Sequence, residues 1–406
     1  MRARAVIIGL AGALLIAGFG YLNDEVLGLE RFTAGYLLPI IVFILMGLVA
    51  GLATFRGPLK PLQPAEMGLI LLMLLVPCSV VSRGLLRAFT PTLVMARYEA
   101  RLRPAWQEHD LVGYVPPRMF PGGTAYDPDV IEGFVSGKGR GRFIEISRVP
   151  WAKWRRPLVT WLPMILLSAT SMICLGLIVH RQWARHERLR YPIAEFASSL
   201  LSGRVAGDDK PLFANRRFWI GLGIVLGIHT VNGLSAWDLS AIQIPRTFSF
   251  DQIGQRWPWI ASAPRATEML NVTIYPTVVA FSFFLAAEIS LSLGISHTLG
   301  VFVGAALVAR GIDCQEWHMA VGATAWQRFG AYTAFGVILL YTGRGYYGPL
   351  FRRALLPTAP AKSVAGHEVW AARIFLAAQV GLIVLILRLG LDWPLTILTV
   401  GMMTLM

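Results

Sequence analysis

Long apolar segments recur along the entire chain of 406 residues. A helix needs about 20 consecutive apolar residues to cross the hydrocarbon core of a bilayer. Only 15% of the residues are charged and 55% are hydrophobic, whereas a soluble domain carries roughly a quarter charged residues. The pattern predicts an all-α, polytopic transmembrane helix bundle, because helices satisfy their own backbone hydrogen bonds inside lipid.

About ten spans are predicted from the lengths of these apolar segments. The seventh and eighth are short, so we expect them to be tilted, broken or partly re-entrant. The last has run for about 14 residues when the sequence reaches Met406, which predicts that the chain is a fragment of a longer protein. Residues 1–406 are therefore interpreted as a single membrane-embedded helical domain. The predicted spans are 5–22, 34–53, 66–82, 158–179, 217–236, 271–293, 297–310, 328–343, 371–389 and 393 onward.

The basic residues between the apolar segments predict how the chain is oriented, because Lys and Arg accumulate on the cytoplasmic side. Arg2 and Arg4 favour a cytoplasmic N-terminus, and the basic segments 181–217 and 344–370 favour the same side. These basic residues account for the formal net charge of +14, because Lys and Arg at the ends of spans face the anionic lipid headgroups. We therefore expect a multi-pass protein of the cell (inner) membrane, whose partner is the lipid bilayer and not nucleic acid. A homo-oligomer is compatible with the sequence.

Residues 83–157 are predicted to form one larger extramembrane loop between the third and fourth spans. Within it, residues 92–103 alternate apolar and Arg side chains in the manner of a short amphipathic helix at the interface. The rest is rich in Gly and Pro, which is typical of turns and irregular loop. Alternation of the spans places this loop outside.

The predicted sixth span carries a polar stripe. At 3.6 residues per turn these side chains fall near one helical face. A carboxylate within a span should face the bundle interior or water, so Glu288 is either a proton, cation or substrate site or a carboxylate paired with an Arg at the rim. The Gly294–His297 segment is either a helix discontinuity, as in secondary transporters, or a tight turn. The stripe consists of Thr273, Thr277, Glu288, Ser292 and Ser296.

A second candidate feature follows the fourth span. Pro192 is suited to the first turn of a helix that runs through Leu200, with Glu195 near the positive end of that helix. Tyr191 comes directly before the proline. The alternative interpretation is a plain cytoplasmic helix with a charged start.

The basic turn, then Leu189, Tyr191 and Pro192, then a helix of small residues resembles the Lys-Leu-Thr-Tyr-Pro-Ser-Gly signature of oligopeptide transporters. Here Ile193 and Ala194 replace the Ser-Gly pair, and the chain has no Asn-Pro-Gly segment. The whole chain also resembles a family of large, uncharacterised bacterial membrane proteins that are distantly related to those transporters. This second resemblance rests on the segments 82–85 and 149–161. The resemblance to oligopeptide transporters implies cation-coupled uptake of small peptides or metal chelates.

The leading hypothesis is therefore a proton- or cation-coupled secondary transporter that moves small peptides or similar solutes by alternating access. One alternative is a membrane enzyme or assembly factor that acts on lipid-linked or envelope substrates, and another is a non-catalytic scaffold. A midplane cavity would favour transport, and an interfacial groove under the outer loop would favour the enzyme. No catalytic residue, cofactor or metal site is predicted. The predicted substrate- or ion-binding residues are Glu288, Ser292, Ser296, Thr277, Tyr191, Pro192 and Glu195.

Overall fold

A computed structural model shows a helical molecule with very little strand. The predicted second span, 34–53, lies outside the residues that the structure describes except for Gly47, and the Ser82–Arg83 pair and Arg190 also lie outside them. The described residues are 3–27, 47, 62–81, 84–123, 126–138, 145–189, 191–202, 214–314, 316–317, 320–356 and 365–405.

The helices follow one another along these ranges. Short 3₁₀ turns form at Pro117–Met119 and Ile146–Arg148. Single π-helical turns, Leu22–Val26 and Gln182–His186, extend two of the long helices. The α-helices are α1 (Ala3–Tyr21), α2 (Pro64–Val80), α3 (Leu85–Leu102), α4 (Pro104–Glu108), α5 (Pro128–Val135), α6 (Trp151–Arg181), α7 (Pro192–Ser202), α8 (Arg216–Ala236), α9 (Asp251–Arg256), α10 (Pro258–Ala261), α11 (Ala266–Leu270), α12 (Pro276–Ser282), α13 (Ala287–Val308), α14 (Ala323–Thr342), α15 (Arg344–Leu355), α16 (Gly366–Arg388) and α17 (Trp393–Leu405).

The strands of the described ranges are two or three residues long and form two antiparallel pairs. β1 (Thr247–Ser249) pairs with β2 (Asn271–Thr273), with Phe248 opposite Val272. β3 (Glu316–Trp317) pairs with β4 (Ala320–Val321). The predicted all-α class is confirmed.

Six segments of the described chain are long and apolar enough to cross a membrane, and the helices of a polytopic bundle are thereby confirmed. α17, with 13 residues, is a shorter apolar helix. The expected helix at 92–103 is part of α3, and α5 forms within the stretch expected to be irregular. The six segments are Ala3–Asp24, Ala65–Leu102 (which contains α2 from Ala65 onward and α3, on either side of the undescribed Ser82–Arg83 pair), Trp151–His186, Arg216–Ala236, Ala287–Val308 and Gly366–Arg388.

The chain divides into two compact units, and the first comprises Met1–Leu86 and Arg190–Arg328. In it α1 and α2 pack in parallel, because Arg4 contacts Glu66 at one end and Gly9 and Gly12 face Met73 and Leu74 further along. The glycines let the two helices approach closely. A buried apolar core lies between them, made by Ala5, Ile16, Met67, Ile70, Leu71, Leu74 and Cys78.

The second unit comprises Arg87–Leu189 and Phe329–Met406. α6 and α16 pack antiparallel, because the end of α6 meets the start of α16 at Arg181 and Glu368, and Ser171 meets Gln379 midway. Antiparallel packing agrees with the prediction that residues following α6 and residues preceding α16 lie on the same side. The buried core at this end includes Cys174, Ile178, Tyr346, Tyr347, Leu350, Ala372 and Phe375.

Each helix pair is fastened by one glutamate at the third position of a helix. Glu368 Oε2 accepts from Arg181 Nη1 at 2.7 Å and from its own helix start, the Ala365 amide, at 3.2 Å. Glu66 Oε2 accepts likewise from Arg4 Nη2 at 2.5 Å and the Gln63 amide at 2.9 Å. One carboxylate therefore satisfies an orphan amide of its own helix and neutralises the arginine of the neighbouring helix.

Candidate functional site

The segment predicted as the sixth span is broken, and the prediction of one helix over 271–293 is wrong. Asn271–Thr273 is strand β2, α12 ends at Ser282 and α13 begins only at Ala287. Pro276 explains the late start of α12. Proline lacks an amide hydrogen and restricts the preceding residue to extended backbone, and Tyr275 has φ −103° and ψ 111°.

The position of the break also differs from the expectation. Gly294–His297 lies in the middle of α13, which runs without interruption from Ala287 to Val308, so both alternatives predicted there, a helix discontinuity and a tight turn, are wrong. The backbone instead leaves the helix at Phe283 and is extended at Ala286, with ψ 145°. One continuous helix therefore replaces the end of the sixth and the whole of the seventh predicted span.

Three residues of the predicted polar stripe do lie on one face of a single helix. Glu288, Ser292 and Ser296 are spaced by four residues within α13, so they share one face. The buried residues of α13 lie on roughly the opposite face, packed against α10 and α11. Thr277 belongs to α12 and Thr273 to β2, so neither continues the stripe. The buried residues are Val301, Gly304 and Ala305.

The oxygen atoms of this face are oriented by the helix itself. Ser292 Oγ donates to the Glu288 carbonyl oxygen at 2.7 Å, and Ser296 Oγ donates to the Leu293 carbonyl oxygen at 3.0 Å. Each hydroxyl has thereby used its proton and retains lone pairs that accept. All three side chains are exposed. The face can supply carboxylate and hydroxyl oxygens, which are the ligands of protons and hard cations.

Glu288 lies in the first turn of α13, where the helix dipole favours negative charge. Within the described ranges no Lys, Arg or His forms an ion pair with it, so the arginine-paired alternative has no counterpart there. Glu268 of the same unit differs, because Arg265 Nη2 bonds it at 2.6 Å. That bond holds the pKa of Glu268 below its usual range.

The structure confirms the helix predicted at the Tyr-Pro motif. Pro192 is the first residue of α7 and Glu195 lies in its first turn, with the Glu195 amide bonded to the Tyr191 carbonyl at 2.8 Å. One turn on, Phe196 packs edge to face on Phe284, with 6.4 Å between the ring centroids. Since Phe284 lies in the break between α12 and α13, the structure brings the two candidate features of the sequence together in one unit.

A cavity of about 470 Å³ in the second unit had no signal in the sequence analysis. It lies where the Gly- and Pro-rich segment meets the start of α6 and the end of α16, and three arginines line it: Arg118, Arg156 and Arg388. The arginines are separated by 38 and 232 positions, so only the fold assembles them. Across the parts of the chain that the structure describes, no group of three or more His, Cys, Asp or Glu residues could hold a metal ion.

Comparison with known proteins places the chain in one family. No curated protein and no solved structure matches it. One family model does match, described as a family of unknown function (DUF6785), and the match covers residues 1–406. Because that match spans the entire sequence, the chain belongs to the DUF6785 family.

Proposed function

We propose that this chain is a proton- or cation-coupled secondary transporter of small peptides or similar solutes, working by alternating access. The observation that carries the proposal is the interrupted helix α12–α13. It places Glu288 at the start of a candidate span, with no ion-pair partner in the described ranges, in a unit where the Tyr-Pro helix packs on the interruption.

An interrupted helix is useful for transport because it exposes two helix ends at one place. The last carbonyl oxygens of α12 each accept one hydrogen bond from the following turn or from Ser282 Oγ and retain a second lone pair, and the start of α13 offers amide hydrogens and a partial positive charge. Such non-helical backbone is tolerated at membrane depth only where it lines a cavity or is buried in protein. Secondary transporters use discontinuous helices in this way to hold substrate and coupling ion.

Glu288 is assigned the coupling role. Taking up a proton or cation would neutralise its carboxylate, and an uncharged carboxyl crosses or faces lipid at lower cost than a charged one. Ser292 and Ser296 would add acceptor oxygens on the same face. Tyr191, Pro192 and Glu195 would shape the neighbouring wall, and Thr277 would lie on the α12 side of the interruption. The peptide-like substrate is proposed from the resemblance to oligopeptide transporters.

Uptake into proteoliposomes tests the proposal. The full chain is reconstituted, a proton gradient is imposed, and accumulation of a pool of short peptides is read by mass spectrometry. We expect gradient-dependent accumulation that Glu288→Gln reduces at least tenfold and makes independent of pH. Glu268→Gln is the matched control, since it removes a carboxylate of the same unit that is already paired. Unchanged uptake by Glu288→Gln would remove the residue from the mechanism, and absence of any accumulation by folded protein would refute transport.

A membrane enzyme or assembly factor acting on lipid-linked or envelope substrates is the second candidate. The arginine-lined cavity favours it, because the cavity lies under residues 116–123 of the segment expected outside the membrane. Turnover of a lipid-linked substrate by protein that shows no uptake would favour this candidate over transport.

A further inference from the structure

The wall of the arginine-lined cavity is built by a segment that three contacts hold in place. Trp161 Nε1 of α6 donates to the Met119 carbonyl at 3.2 Å. The guanidinium of Arg97 stacks over the buried Phe120 ring at 4.6 Å from its centroid. Arg118 Nη2 donates to the carbonyl of Arg388, the last residue of α16. The segment is thus fixed to α3, α6 and α16, and the wall that it contributes to this open cavity is in place before any ligand arrives.

Two glycines of the cavity lining take backbone conformations that other residues rarely adopt. Gly123 has φ +83° and Gly390 has φ +95°. A Cβ at either position would meet open space, so the glycines are required by their dihedral angles and not by crowding. Their lack of side chains leaves backbone accessible to a ligand at both places.

The charges around the cavity are one-sided. The described lining residues include three arginines and no acidic side chain. Elsewhere in the same unit basic side chains are matched with carboxylates: Arg101 with Glu132 and Lys153 with Asp127. In the described ranges Arg118, Arg156 and Arg388 form no such ion pair. Three unneutralised guanidinium groups beside one cavity attract an anion of more than one negative charge.

The cavity also lies at the end of two candidate spans. Arg156 is the sixth residue of α6 and Arg388 the last residue of α16. α16 has 23 residues, or about 34 Å at 1.5 Å per residue, close to the roughly 30 Å of a hydrocarbon core. Its end therefore reaches the depth at which lipid phosphates and soluble anions both occur.

We propose that this cavity binds a phosphate-bearing anion, held by the guanidinium groups of Arg156, Arg118 and Arg388. The planar fork of arginine matches the oxygen geometry of phosphate in two parallel hydrogen bonds. The group is either the phosphomonoester of a lipid headgroup or free phosphate. The site belongs to the second unit and is independent of the transport role proposed for Glu288.

Binding to the full-length chain in detergent tests the proposal in two arms. One arm titrates phosphatidic acid and counts bound lipid by native mass spectrometry, with diacylglycerol as the phosphate-free comparison. The other arm measures inorganic phosphate by equilibrium dialysis. We expect Arg156→Gln to weaken binding about tenfold, and Arg156→Lys to weaken it less because charge is kept but the fork is lost. Arg155→Gln is the matched control, one position along the same helix and outside the cavity lining.

The outcomes of the two arms show whether the site exists and which source of phosphate it binds. A response confined to the lipid arm identifies a headgroup site, and a response confined to the phosphate arm identifies a soluble anion; either supports the site. Absence of binding in both arms, or an equal loss in Arg155→Gln, would overturn it, the latter because surface charge alone would then explain binding. Arg118→Gln also removes the contact to the end of α16, so Arg156 is the residue of choice for the test.

Discussion

Replacing Glu368 by Ala should destabilise the protein strongly, because the residue serves two bonds at once. Its side chain is 5% exposed and its partner Arg181 is 21% exposed. Removing one member of a buried ion pair costs about 3–5 kcal/mol, and losing a helix cap costs about 1 kcal/mol. Because Arg181 retains some access to water, we expect the lower end, about 3 kcal/mol in total.

Companion variants separate the contributions. Glu368→Gln keeps an acceptor for the Ala365 amide and isolates the loss of charge, so it should cost about 2 kcal/mol. Replacing both Arg181 and Glu368 by Met should recover most of the loss, since no charge is left unpaired. The control is Glu268→Ala, which breaks an Arg–Glu pair of similar length, 2.6 Å, whose side chains are more than half exposed. That pair should contribute under about 1 kcal/mol.

The assay is reversible unfolding in mixed detergent and SDS, followed by tryptophan fluorescence and helical circular dichroism, with the free energy of unfolding compared among variants. We attribute the larger loss of free energy of unfolding in Glu368→Ala to the burial of its ion pair. The decisive result is therefore which of the two variants, Glu368→Ala or Glu268→Ala, loses more free energy. Equal losses for Glu368→Ala and Glu268→Ala, or a double Met variant worse than Glu368→Ala, would refute the reasoning.

Three further outcomes follow from the packing. Gly12→Val should cost about 1–3 kcal/mol in the same assay, because a side chain there collides with buried Leu74, whereas Gly18→Val in the same helix meets open space and should cost much less. Burial raises the pKa of Tyr346 above the ordinary value near 10, so its neutral phenol stabilises the fold fully below about pH 10 and less as the pH rises further. Tyr346→Phe should therefore lose less of its Tm than the parent between about pH 9 and about pH 11. Gln379→Leu should cost about 1 kcal/mol, since Gln379 Nε2 donates to hydroxyls of α6 and α17 at 2.7 and 3.0 Å, and a Tm equal to the parent's would show those bonds to be idle.

The sequence predicted the helices that depend on local signals. Apolar runs of sufficient length marked α1, α2, α6, α8 and α16, because the length of a span follows directly from bilayer thickness. The start of α7 was equally readable, since Pro192 is pre-organised for a first turn. Glu288, Ser292 and Ser296 also share a face as their spacing requires.

The position of the helix break is predicted wrongly, because two local signals, a glycine and a proline, compete in this segment. The predicted break rests on Gly294, although a single glycine inside a helix costs only about 1 kcal/mol. Pro276 is the stronger signal, because α12 begins there and Thr273 precedes it in β2, and neither Thr273 nor Thr277 shares a helix with Glu288. The arginine-lined cavity could not be predicted, because Arg118, Arg156 and Arg388 are far apart in the sequence and only the packing of residues 116–123 with α6 and α16 brings them to one cavity.

The extended backbone at Ala286 has a mechanical consequence. A continuous helix resists bending because each degree of kink stretches hydrogen bonds of its ladder. Between Ser282 and Ala287 the regular ladder is interrupted, and turn hydrogen bonds such as that from the Leu285 amide to the Ser282 carbonyl at 3.2 Å replace it. Bending α12 against α13 at this point therefore disturbs fewer hydrogen bonds than bending within α13 would. The ring contact between Phe196 and Phe284 lies at this interruption and joins it to α7, so a change in the direction of α12 relative to α13 would also alter how α7 packs.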